Sequence, residues 1–147
     1  ANVGFFEKTT KKTLKNPLTT NAECAIINTE IKGCDLTARK ETQNYEMSIK
    51  EAYLQANQEN YMNPDTPLRL DMFVYHQIPK SVSKKKRQEM LDRKIRPTKK
   101  PDIDNILKSV CDALNKVAFY DDTQIVDIFV EKYYDETPRL EILIRNI

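Results

Sequence analysis

Histidine is almost missing from this 147-residue chain: His76 is the only one. A lone histidine cannot build a zinc site of the usual kind, and His76 has no local partners that would make it part of a histidine-and-metal centre. It reads as a strand-end residue without a special role. Cysteine is scarce too, and Cys24, Cys34 and Cys111 are odd in number and show no CxxC spacing. That argues against a disulfide scaffold and predicts a reducing compartment, the cytosol. Cys111 falls on an apolar helix face, where cysteine acts as a small hydrophobe. No apolar run approaches the roughly 18 residues of a membrane span, and the first residues lack the apolar core of a secretory signal. Ala1 where a methionine would begin a chain predicts a trimmed or engineered start. Internal repeats and low-complexity tracts are absent as well.

Hydrophobic residues make up 39% and charged residues 31%, the balance of a charge-rich globular protein. Residues 1–147 are long enough for one domain with a real core. The net charge of +2 says little, but its distribution says more. Residues 80–100 hold Lys80, Lys84, Lys85, Lys86, Arg87, Arg93, Lys94, Arg96, Lys99 and Lys100 against only Glu89 and Asp92. Ten basic and two acidic residues give this segment +8, which leaves −6 for the rest of the chain. A concentrated basic segment attracts a phosphate backbone, with affinity that falls steeply with salt. Its ordinary alternative is a solvated lysine loop.

Residues 1–24 show no clean period and read as a flexible arm or irregular lead-in. Ala25-Ile26-Ile27 is a short candidate strand, with Gly33 marking a turn soon after. From Gln43 to Gln58 the spacing predicts a helix whose core stripe is Tyr45, Ile49, Ala52, Tyr53 and Ala56. Asn63-Pro64-Asp65-Thr66-Pro67 is a turn, and Leu68 to Tyr75 a strand. Ser83 is placed to cap a short basic helix over Lys84–Asp92. Arg96 to Pro101 is extended, since proline drives its predecessor away from helix. A helix is expected from Asp104 to about Asn115, with Leu107, Val110, Cys111 and Leu114 buried and Ile103 packing just before it. Strands at about Gln124–Tyr134 and Leu140–Asn146, joined by the Glu136-Thr137-Pro138 turn, are close enough to form an antiparallel hairpin.

The chemistry concentrates in one module. Asp102, Asp104, Asp112, Asp121 and Asp122 fall with Lys108 inside a 23-residue stretch that starts at Lys100. In an extended segment Asp102 and Asp104 point the same way, roughly 6 to 7 Å apart. Carboxylates suit hard ions such as Mg²⁺ or Mn²⁺, which keep open positions for a phosphate. Asp104, Lys108 and Asp112 recur every four residues and form a polar ridge opposite the core. Each carboxylate also has an everyday explanation: Asp104 as an N-cap, Asp102 as a solvated neighbour of a proline, Asp121-Asp122 as a turn.

Lys100-Pro101-Asp102-Ile103-Asp104-Asn105, then Lys108 with Asp112-Ala113-Leu114-Asn115, then Asp121-Asp122 with Gln124-Ile125, resembles the RusA family of Holliday junction resolvases. Pro79 to Arg87 and Glu131-Lys132-Tyr133-Tyr134 also resemble its phage members, so the likeness runs from about Leu70 to Ile144. The resemblance implies a small, homodimeric α+β fold with a mixed β-sheet packed with helices. It implies a divalent metal, Mg²⁺ with Mn²⁺ as a substitute, on Asp102, Asp104 and Asp122, and an essential Lys108. Asn105, Asp112, Asp121 and Gln124 fit the motif as supporting residues. The DNA contacts expected are Lys80, Lys84, Lys85, Lys86, Arg87, Arg96, Lys99 and Lys100, with a four-way junction as the partner. Family members generally open with a strand ending in glycine and a basic Arg-Pro-Arg-like segment. Here Gly33 to Lys40 stands nearby with far less basic character, a departure that bears on junction selectivity.

Physically, the expected chemistry is in-line attack of a metal-activated water on a phosphodiester, leaving a 5′-phosphate and a 3′-hydroxyl. Lys108 would stabilise charge building on the phosphorane or leaving oxygen. A two-fold dimer would present identical sites to opposing strands of a junction. Two other classes fit parts of the pattern. A catalytically silent DNA-binding protein needs the basic segment alone, and a structural domain with a Mg²⁺ or Ca²⁺ site needs the carboxylates alone. A less selective nuclease acting on flaps or branches is a variant within the enzyme class.

Overall fold

A computed structural model describes residues 25–30, 39–56 and 60–147. The expected arm over 1–24, the turn at Gly33, Cys24, Cys34 and most of the Gly33–Lys40 segment lie outside the described residues. In chain order the elements are β1 (Ala25–Glu30), α1 (Arg39–Gln55), β2 (Leu68–Gln77), α2 (Lys84–Leu91), α3 (Ile103–Leu114), β3 (Ile125–Asp135) and β4 (Arg139–Asn146). A single 3₁₀ turn, Asp122–Gln124, precedes β3. The strands form one mixed sheet in the order β1-β4-β2-β3. β4 runs antiparallel to β1 and to β2, while β3 runs parallel to β2. The architecture is α+β, with helices on a mixed sheet.

The expected hairpin between the last two strands does not form. β2 lies between β3 and β4 and pairs with both. The four peptide steps from Asp135 to Arg139 can reach about 13–15 Å, enough to cross two strand spacings of about 4.8 Å each. The Arg139 guanidinium holds this crossing, donating to Asp135 Oδ2 at 2.8 Å and to the Thr137 carbonyl at 3.1 Å. Short sequence separation allows a hairpin, but the apolar demand of β2 decides the order. Its Leu68 to Tyr75 run is buried apart from Arg69, on both faces, as a central strand requires.

One face of the sheet carries Leu68, Leu70, Met72, Val74, Leu140, Ile142 and Ile144, packed under Tyr45, Ile49 and Tyr53 of α1 and Ile106, Val110, Ala113 and Leu114 of α3. The other face carries Phe73, Tyr75 and Tyr133 with Leu143. Arginines cover those rings: Arg139 lies 3.8 Å over Tyr75, while Arg93 and Arg96 lie 4.3 and 4.1 Å over Tyr133. Asp71 is buried there between Arg69 Nε at 2.7 Å and Arg145 Nη2 at 2.9 Å, which offsets the desolvation of its charge.

Two expectations about helix ends are corrected. α1 covers Arg39–Gln55, starting earlier than the periodicity predicts and giving way to a turn at Ala56, while Asn57 and Gln58 lie outside the described residues; Tyr45, Ile49 and Tyr53 are buried, and Ala56 is exposed. α3 starts at Ile103 with Asp102 as its N-cap, not at Asp104. Its buried stripe is Ile106, Ser109, Val110, Ala113 and Leu114, with Leu107 and Cys111 only partly covered and Ile103 exposed. Starting the helix earlier leaves Ile103 in the first turn, outside the sheet's footprint. α2 keeps its expected start: Ser83 Oγ accepts from the Lys86 amide at 3.3 Å. Both α2 and α3 end on a left-handed residue just past the C-cap, Arg93 (φ 65°) and Lys116 (φ 63°), a position glycine usually takes.

Candidate functional site

The acidic residues fall in two places: Asp102 and Asp104 at the start of α3, with Lys132 of β3 beside Asp102, and Asp121-Asp122 in the loop after α3, near Asp112. Asp102 has extended backbone (φ −72°, ψ 153°), and its carboxylate makes no capping bond. Asp104 follows in the first helical turn and is exposed. The segment is thus extended at Asp102 but helical at Asp104. Residues two apart across a helix start do not share a face, so the expected parallel alignment of these carboxylates is not made. The everyday role for Asp104, an N-cap, falls away as well. Asp104, Lys108 and Asp112 do form the expected exposed ridge. Asn105, beside Asp104, is exposed also.

Across from that ridge stands Glu46 of α1, a residue that sequence reasoning missed. Burial first, then the charge of Asp112, pushes its carboxyl above the usual range, and Lys108 pulls it back. No local pattern flags Glu46, because it reaches the ridge from a helix some sixty residues away in sequence.

The Asp121-Asp122 pair is divided by its surroundings. Asp121 Oδ1 accepts from the Thr123 amide at 3.0 Å, and Lys116 Nζ lies 3.6 Å from Asp121 Oδ2. The Thr123 amide first, and Lys116 after it, hold Asp121 below the usual carboxylate range. The adjacent Asp122 is raised, first by its hydrogen bond to Asp121, then by burial and by the like charges of Asp121 and Asp112. Asp121 therefore has a structural task. Asp122 is exposed, favours a proton more than an ordinary aspartate, and its charge reaches Cys111. Burial pushes the Cys111 thiol up to about 11, so it stays protonated and unreactive, as its apolar position predicts.

Gln124 fixes this loop. Its buried side-chain oxygen accepts from the amides of Tyr120 at 2.8 Å and Asp121 at 3.1 Å. Its Nε2 donates toward the carbonyls of Tyr61 (3.2 Å), Asn63 (2.8 Å) and Thr66 (3.1 Å). One amide side chain thus ties the aspartate loop to the Asn63–Pro67 turn.

Of the expected DNA contacts, Lys80, Lys84, Lys85, Lys86, Lys99 and Lys100 are exposed. Arg87 and Arg96 differ: both are engaged by the protein. Arg87 forms a two-pronged ion pair with Glu136, one arm at 2.9 Å, and so anchors α2 to the end of β3. Arg96 stacks on Tyr133 and donates through Nε to the Lys132 carbonyl at 2.6 Å. Lys132 is the second residue that sequence reasoning missed. Its Nζ donates to the carbonyls of Lys99 at 2.5 Å and Pro101 at 3.0 Å, next to Asp102. Burial lowers the Lys132 pKa, Asp102 raises it and Lys99 lowers it. A signal for it existed: Ile128, Val130 and Lys132 share one face of β3 by register, so the lysine interrupts an apolar phase.

Hard carboxylate oxygens match the donor preference of Mg²⁺ or Mn²⁺. Among the described residues, however, no group of three or more His, Cys, Asp or Glu side chains stands close enough to hold an ion. The donor type fits a divalent cation, while a three-donor set is not assembled within these residues. No helix among them is long and apolar enough to cross a membrane.

The family model for endodeoxyribonuclease RusA matches residues 18–145, which span the sheet, the basic segment and the aspartate module together. The chain belongs to the RusA endodeoxyribonuclease family. Among its RusA-like relatives, a crossover junction endodeoxyribonuclease rusA of Lactococcus phage r1t is 30% identical over 110 residues, covering 74% of this chain and 76% of the phage protein. The uncharacterized protein YqaN of Bacillus subtilis (strain 168) is 48% identical over 83 residues, 55% of this chain and 58% of that protein. This RusA-family chain thus matches a little over half the length of YqaN.

Proposed function

We propose that this RusA-family chain is an endodeoxyribonuclease that cuts branched DNA, resolving four-way junctions by paired symmetric nicks. The observation that carries the reading is the acidic module beside a basic segment, within a family match spanning residues 18–145. The free carboxylate of Asp102, exposed Asp104 and Asp122, and Lys108 on the same helix surface as Asp104 support its assignment as the catalytic set. Asp121 and Gln124 build the loop that carries Asp122, which supports their secondary role.

The reading includes a divalent ion, Mg²⁺ with Mn²⁺ as a substitute, which Asp102, Asp104 and Asp122 would hold only by drawing together around it, since they do not stand as a three-donor set without it. When bound, it supplies charge neutralisation and a water of lowered pKa. The chain's own contribution is to bind and orient. Exposed lysines on and around α2 draw in the phosphate backbone, and Lys108 offers a cation to the reacting phosphate. The reading also includes a homodimer, since a two-fold assembly matches the arms of a junction. The uncovered Val126, Ile128 and Phe129 of edge strand β3 offer apolar surface for such a contact.

The test is cleavage of a labelled synthetic four-way junction with Mg²⁺, beside linear duplex. Symmetric nicks are expected on the junction. Asp102→Asn, Asp104→Asn and Asp122→Asn should each lower the rate at least about 100-fold with junction affinity kept. Full cleavage by any one purified variant removes that residue from the set. Binding without cleavage in the wild type would favour a silent DNA-binding relative.

A further inference from the structure

We propose that Lys132, which has no part in the catalytic set above, is the positioning residue that holds the Asp102 module in place; this rests on the nuclease reading. The path of the chain into α3 poses a topological problem. α2 is tied to the end of β3 by Arg87 and Glu136, and the chain just after it, at Arg93 and Arg96, lies on Tyr133. By register Tyr133 faces the same side as Phe73 and Tyr75, the face away from α1 and α3. α3 packs on the opposite face. Residues 96–102 must therefore pass around edge strand β3 before Asp102 opens α3.

Lys132 is where they pass. Its backbone carbonyl accepts from Arg96 Nε on the incoming side. Its side chain emerges on the other face, in register with Val74, and its ammonium takes the carbonyls of Lys99 and Pro101 on the outgoing side. One residue thus ties both limbs of the crossing, with Pro97 and Pro101 buried at its ends. Lys99 also lies 5.6 Å over Tyr134, whose ring meets that of His76 edge-on across the strands, with centroids 6.5 Å apart. The bond to the Pro101 carbonyl is one residue from Asp102, whose carboxylate has no capping bond of its own to fix it. Without the ammonium, two carbonyls beside a half-buried strand end lose their donor, and the turn that delivers Asp102 loses its anchor. An edge strand wrapped in this way is also withheld from pairing with other chains over its second half.

Lys132→Met and Lys132→Arg separate positioning from general stability. For Lys132→Met we expect kcat on the four-way junction to fall about 30- to 100-fold, the scale of a small misplacement of reacting groups. KM, junction affinity in EDTA and the melting temperature should stay close to wild type. Amide hydrogen exchange should accelerate at residues 99–105 while β2 and β4 keep their protection. Lys132→Arg, which retains charge and donors, should recover most of kcat. The proposal is overturned if Lys132→Met keeps wild-type kcat, if its loss follows loss of folded protein, or if exchange rises evenly across the sheet. A wild-type protein that cuts no DNA overturns the nuclease reading instead. The exchange measurement at residues 99–105 then decides alone whether Lys132 holds the turn.

Discussion

At the scale of single residues, burial rather than identity sets chemical character. His76 lies half-buried on β2 with Nε2 unpaired, and burial first, then the charges of Lys132 and Lys99, lowers its pKa to about 4. The unfolded imidazole titrates near 6.5, so the unfolded chain takes up this proton at a higher pH than the folded one. The stability tied to neutral His76 is present in full above about pH 6.5 and is lost as pH falls toward 4. We expect urea-unfolding stability to drop across that window by about 1–2 kcal/mol, less than full burial would give because the ring is partly solvated. His76→Phe should flatten the drop, and an unchanged slope in that variant would locate the titrating group elsewhere. Cys111 shows the same logic from the other side, its thiol kept protonated by its surroundings.

At the scale of elements, position in the sheet decides what an apolar residue is worth. Leu70 is fully buried in central strand β2, whereas Ile128, its partner in the parallel register, is 43% exposed on edge strand β3. Leu70→Ala should cost about 2–5 kcal/mol through lost burial and an unfilled cavity. Ile128→Ala should cost under about 1 kcal/mol in the isolated chain. Guanidinium unfolding of both variants checks the contrast. A cost at Ile128 equal to that at Leu70 would mean that the β3 edge is covered. The helices follow the same rule: α3 turns Ile106, Val110 and Leu114 to the sheet, leaving Asp104, Lys108 and Asp112 to solvent.

At the scale of the whole molecule, the basic segment splits into two populations. Lys84, Lys85 and Lys86 are exposed on α2, whereas Arg87 is committed to Glu136. Replacing the three lysines with glutamine should weaken DNA binding on every sequence. It should also flatten the dependence of log K on log salt by up to about 2.7, near 0.9 for each phosphate no longer neutralised. Arg87→Gln should leave that slope nearly intact and loosen α2 instead. Fluorescence anisotropy on a labelled junction across a KCl series measures both, and equal slope changes would show that Arg87 leaves Glu136 for DNA.

Much of this protein was legible in its sequence because the signals are local. Ser83 at the start of α2, the Asn63–Pro67 turn, the apolar run of β2, the polar ridge of α3 and the aspartate motif with its family all depend on near neighbours and on side-chain period. Tertiary structure alone decided the rest. The order of β2 between β3 and β4 follows from an apolar strand that must be covered on both faces, which a short connection cannot foretell. The diversion of Arg87 and Arg96 into protein contacts, the approach of Glu46 to Lys108 and Asp112, and the grip of Lys132 on the Pro101 turn each join residues more than thirty apart in the chain. Sequence spacing carries no distance at that range; only the packed sheet brings those groups together.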